Sequence, residues 1–161
     1  LQTFNNVELT MSVDAMGDKF EYIRNGSNWN TFINNLKYVK GNTNFDIRVN
    51  SIFSILNAAD IGKTISFFYH DIGIKDVTIN LCFDPADIDA RNYPEHGKEA
   101  IVNELEQLIT TLDSVHINLI SNLKNCISQI QLPPEHNYKS ALARITMRNA
   151  KPWQQMFEDL A

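Results

Sequence analysis

Ser12 and Asp14, two positions apart, bring a hydroxyl and a carboxylate to one side of any extended strand. Such a pair can meet one polar ligand. Equally, Asp14 can cap the turn that follows while Ser12 fills a small core position. Arg24 comes after Phe20-Glu21-Tyr22-Ile23. Its planar fork can clamp a carboxylate bidentately, or it can bridge Glu21 or Asp14 structurally. Arg48 stands between Ile47 and Val49 and so faces away from them. A charge there must be paired if both sheet faces are covered, or it can line a polar cavity. Asn50, Ser54 and Asn57 follow the second apolar run, and Cys82 and Asp84 follow the third. In parallel α/β folds the carboxyl ends of strands and the loops beyond them carry the ligand groups, so these residues are the candidates.

Other chemistries lack their residues. His70, His96, His116 and His136 stand singly and form no metal-ligand spacing. Cys82 and Cys126 lie 44 positions apart, too few and too far for a zinc or iron–sulfur motif; they read as buried free thiols, with one disulfide between them as the alternative. There is no Walker lysine loop, no GxGxxG and no Gly-x-Ser-x-Gly elbow. The 161 residues carry 14 Lys+Arg against 19 Asp+Glu, a net charge of -5. Without a basic cluster, nucleic-acid binding is not expected. Apolar runs are too short for a membrane span, and the expected location is cytoplasmic.

The elements that must position the candidates follow from periodicity. Residues 7–13 alternate apolar and polar as a half-buried strand does, and Gly17 is the natural site of positive φ after it. A short helical turn is expected from Phe20 to Ile23. Ser27 or Asn28 caps a helix whose face is Trp29, Phe32, Ile33, Leu36 and Val39, ending at Gly41-Asn42. Residues 45–52 form strand two, with Phe45, Ile47, Val49 and Ser51 on one side. Residues 61–69 form a helix and 77–83 strand three. This βαβαβ order implies a parallel sheet. Beyond Pro85 come helices over 96–110 and 115–130, a break at Pro133-Pro134, and two closing helices over 138–147 and 152–160. The expected division is 1–90 for the α/β part and 91–161 for the helical part. Three parallel strands make an incomplete sheet with both edges exposed, and the chain reads as a piece of something longer.

Ser12-Val13-Asp14-Ala15-Met16-Gly17-Asp18, continuing through Phe20-Glu21-Tyr22-Ile23-Arg24, Gly26-Ser27 and Trp29, resembles a segment of radical S-adenosylmethionine enzymes of the SPASM/twitch group. There the fourth strand of a partial (β/α)6 barrel ends in Ser-hydrophobic-Asp-Gly/Ala, and a Tyr-Glu-x-Ile-Arg stretch leads to the next helix. Ser54-Ile55-Leu56-Asn57 is similar to the end of the fifth strand. Asp84-Pro85, Tyr93-Pro94 and Lys98 are similar to the passage beyond the sixth. Met147-Arg148-Asn149, Trp153 and Phe157-Glu158-Asp159-Leu160 resemble the family's Asp-x-x-Arg … Phe-Pro-Glu-Leu tail, with Met147-Arg148 and Asp159 as departures.

The resemblance implies the second half of a partial TIM-like barrel followed by a helical, twitch-like extension. It implies S-adenosylmethionine near Ser12 and Asp14, its carboxylate within reach of Arg24, and a cavity lined by Arg48, Asn50 and Asn57. Leu81 or Phe83 would pack on adenine. The family's [4Fe-4S] cluster is held by Cys-x-x-x-Cys-x-x-Cys, which this chain lacks, as it lacks the auxiliary-cluster cysteines. The missing N-terminal half would bring the cluster, and the 161 residues alone would be inactive. The substrate would be a peptide or small molecule. A non-catalytic α/β binding or scaffold module, and a degenerate relative without a cluster, are the competing expectations.

Overall fold

The computed structural model describes residues 6–147, 149 and 151–160. Three strands, β1 (Glu8–Ser12), β2 (Asp46–Phe53) and β3 (Val77–Leu81), form one sheet in the order β1-β2-β3, parallel throughout. Helix α1 (Gly17–Ile23) and helix α2 (Trp29–Asn42) connect the first pair. Helix α3 (Ile61–Ser66), running into a π-helical turn over Phe67–Asp71, connects the second. The chain then passes through two 3-10 turns, Ala86–Ile88 and Ala90–Asn92. Helices α4 (Glu95–Thr111), α5 (Ile117–Ile130) and α6 (Tyr138–Thr146) follow. The α/β class and the parallel sheet expected from the sequence are therefore present.

Local chemistry explains several boundaries. Gly17 adopts φ +57, a conformation open to glycine at little cost, where β1 gives way to α1. Asn28 caps α2 by accepting from the Thr31 amide at 2.9 Å. The closing segment departs from expectation. Instead of one helix over 152–160 it forms two short 3-10 turns, Trp153–Gln155 and Glu158–Leu160. It is anchored by tertiary contacts of Phe157 and Leu160, which are 1% and 0% exposed.

The sheet has two unlike faces. Met11, Ile47, Val49, Ser51, Phe53, Val77 and Ile79 point toward the helices and join one core with Leu36, Ile65, Phe68, Leu105, Leu119 and Leu123. Glu8, Thr10, Ser12, Arg48, Ile52, Thr78 and Asn80 point the other way and are exposed, with Asn50 half-buried among them. The two edges also differ, which corrects the expectation that both would be bare. Helix α5 packs along β3. Asn122 Oδ1 accepts from the Ile79 amide at 3.0 Å, a donor turned away from β2. Nothing comparable caps the outer edge of β1 among the described residues.

Candidate functional site

The strand register sets the candidate residues in rows. Thr10 pairs with Arg48, and Ser12 with Asn50, which in turn pairs with Thr78. Because side chains alternate on a strand, all of these stand on the open face. Ser12 is at the carboxyl end of β1. Asn50 Oδ1 accepts from Asn80 Nδ2 at 2.7 Å, which leaves the Asn50 amide hydrogens available to a ligand. Arg48 is nearer the amino end, bridging Glu8 at 2.7 Å and Asp76 at 2.6 Å across the three strands. Of the two alternatives read from the sequence, the structure shows the pairing; Arg48 lines none of the clefts. With all three side chains about half exposed, this chain of charges adds little stability.

Asp14 and Arg24 meet each other. Asp14 Oδ2 accepts from Arg24 Nη2 at 2.7 Å, and Oδ1 accepts from the Ile52 amide at 2.9 Å. The carboxylate thus splints the ends of β1 and β2, while Arg24 Nε stays buried without a partner. This is the structural pairing that the sequence left open.

Asn57 is not on the open face. It is 1% exposed. Its Nδ2 donates to the carbonyls of Asp14 and Ile52, both at 2.8 Å, and its Oδ1 accepts from the Ser54 amide at 2.9 Å. Every polar atom of the amide is engaged with the backbone, so Asn57 clasps the strand ends and has nothing left to offer a cofactor. Leu81 likewise turns away: it is paired in register with Phe53 and packs on the helix-side core. Ile52, at 44% exposure, is the large apolar side chain standing on the open face, and Phe83, at 62%, is exposed beyond the end of β3.

The sulfur chemistry is equally constrained. Cys82 and Cys126 are buried and unbridged. Burial pushes the Cys126 thiol up to about 12, and burial followed by the Asp89 carboxylate raises that of Cys82. Neither offers a thiolate near neutral pH. Among the described residues no group of three or more His, Cys, Asp or Glu side chains could hold a metal ion. The residues present therefore do not fit a [4Fe-4S] cluster. On the open face the Ser12 hydroxyl and the Asn50 amide stand side by side as register partners.

Four clefts of about 240 to 690 Å³ open elsewhere, and none is lined by Ser12, Asp14, Arg24, Arg48, Asn50, Asn57 or Leu81. The strand residues of the open face line none of these four. Thr78 and Asn80 belong to that face and were not singled out in the sequence, although their alternation with Val77 and Ile79 is legible there. Lys19, Asp60, Tyr93 and Asp159 form a polar junction beyond the strand ends that no local pattern announces. Arg148, part of the tail resemblance, lies outside the described residues. No helix among the described residues is long and apolar enough to cross a membrane. The chain matches no protein-family model, no curated protein and no solved structure.

Proposed function

We propose that the chain is the second half of a partial (β/α)6 barrel in a radical S-adenosylmethionine enzyme of the SPASM/twitch group, and that its open sheet face is one wall of the cofactor site. The observation that carries the reading is a parallel sheet with helices, among the described residues, on one side only. Parallel sheets are ordinarily covered on both faces, because their crossovers place helices there. A parallel sheet whose second face is polar and bare is what the inner wall of a barrel segment looks like. The Ser-Val-Asp segment that carries the resemblance sits at the carboxyl end of that wall, where ligand groups belong.

In this reading Ser12 and Asn50 bind the polar parts of S-adenosylmethionine, and Ile52 offers apolar surface next to Asn50 on the same strand. Asp14, Arg24 and Asn57 hold β1 and β2 at the spacing that Ser12 and Asn50 require. The cofactor supplies the radical chemistry of hydrogen abstraction from a peptide or small-molecule substrate. The cluster ligands would come from outside these residues, since none here can serve.

The test is anaerobic iron and sulfide reconstitution of the longest natural form of the gene product, followed by electron paramagnetic resonance. A reduced [4Fe-4S] signal that shifts when S-adenosylmethionine is added is the expected result. A product that takes up no cluster overturns the reading. One observation favours a second reading, a non-catalytic α/β binding module: the most reactive candidates, Asp14 and Arg24, already neutralise each other. In that case the full-length product has no cluster, and the open face meets a partner.

A further inference from the structure

The segments that leave the three strands converge on the C-terminal tail. Lys19 lies on α1 after β1, Asp60 stands just before α3 after β2, and Tyr93 ends the connector after β3. Asp159 accepts from Tyr93 Oη at 2.5 Å and from Lys19 Nζ at 3.5 Å, and Lys19 also donates to Asp60. Phe157 meets the Tyr22 ring edge to face at 5.5 Å, and the Lys19 ammonium stands 5.4 Å from its centroid. The Leu160 carbonyl accepts from Tyr138 Oη at 3.1 Å. Two buried apolar anchors thus dock the tail, and one carboxylate ties it to the strand-end segments.

The same contacts run on into the clasp. The Asp60 amide donates to the Asn57 carbonyl at 2.9 Å. Asn57 in turn holds the Asp14 and Ile52 carbonyls. From Asp159 the path is therefore Lys19, Asp60, Asn57 and Asp14, with a direct polar contact at each link. Lys19 and Asp60 are both largely shielded, with side chains 23% and 26% exposed, so solvent screens their pairing only in part.

We infer that Asp159 is a positioning residue for the strand-end wall. The docked tail sets the spacing of the segments after β1 and β2, and through Asn57 the ends of the strands that carry Ser12 and Asn50. The identity of the ligand rests on the reading above; the mechanical coupling concerns this chain alone. Linkage makes the coupling reciprocal. A ligand held at the strand ends tightens the tail, and a loosened tail weakens the ligand by the same factor.

The experiment is hydrogen–deuterium exchange on the full chain, on Asp159→Asn and on Asp159→Glu. Asp159→Asn is expected to speed exchange in 153–160 and also in 14–19 and 57–61, with α5 left at the unmutated rate. Asp159→Glu restores part of the protection, because it keeps the charge. Faster exchange confined to 153–160 overturns the inference. Should Asp159→Asn fail to fold, Tyr93→Phe removes one bond to the same carboxylate and is read by the same pattern. In the longest natural form, Asp159→Asn should weaken S-adenosylmethionine binding roughly tenfold, within the range of ordinary site–site coupling. If the unmutated protein binds no S-adenosylmethionine, the cofactor reading fails, and the exchange pattern still decides the role of Asp159.

Discussion

Replacing Asn57 by alanine tests whether this residue is a clasp or a ligand. The substitution removes two donated hydrogen bonds of 2.8 Å and one accepted bond of 2.9 Å, all to backbone groups, from a side chain that is 1% exposed. A net hydrogen bond contributes about 0.5–1.5 kcal/mol, and a buried group left unpaired costs about 1–3 kcal/mol. A water entering the vacated space recovers part of this. The expected loss is therefore about 3 kcal/mol, a large share of the roughly 5–15 kcal/mol that holds an ordinary domain together. Urea unfolding followed by circular dichroism reads it directly. With a slope of about 2 kcal/mol per molar, the midpoint should fall by about 1.5 M at unchanged slope. A midpoint within about 0.3 M of the unmutated chain would refute the reasoning, since the three backbone groups would then have other partners. A cofactor ligand behaves in the opposite way: stability is kept and affinity is lost.

Two further predictions concern other parts of the molecule. The Arg144 guanidinium grips both Asp87 oxygens, at 2.5 and 2.8 Å, and holds that carboxyl below its ordinary range, with Ser140 assisting. A depressed folded value means the contribution is present above the unfolded value of about 4 and is lost as pH falls through the lower folded one. Arg144→Met should therefore return the Asp87 titration, followed by carboxyl NMR shifts, to the usual carboxylate range; an unmoved midpoint would assign the depression to another group. At the sheet edge, Asn122→Leu removes the acceptor for the Ile79 amide and should cost about 1–2 kcal/mol. It should also speed exchange at that amide, and an unchanged rate there would show that α5 shields β3 by packing alone.

The sequence and the structure divide the explanation along a physical line. Alternation in 7–13, 45–52 and 77–83 was enough to assign three strands and to sort their faces, because side chains on a strand alternate whatever surrounds them. It placed Arg48 opposite Ile47, Val49 and Ser51, as found. Gly17 marked its turn for the same local reason, the freedom of a residue without Cβ. Residues 152–160 have the pattern of a helix but form two 3-10 turns, because the two share their short-range residue preferences. Phe157 and Leu160 are settled by what they pack against.

Leu81 and Asn57 show where local reasoning ends. Leu81 keeps the period of Val77 and Ile79 and so faces the helices rather than a ligand on the open face. Asn57 lies in a loop, where no period operates. Its enclosure depends on the carbonyls of Asp14 and Ile52, brought together by the parallel register of β1 and β2. Thus the sequence by itself determined the three strands, their parallel order and the alternation of their faces, all consequences of local pattern. Which polar groups pair was decided by tertiary structure alone. Asp14 with Arg24, Asn57 with two strand ends, and Lys19 with Asp159 across 140 residues are contacts between groups that nothing but the packed fold brings within hydrogen-bonding distance.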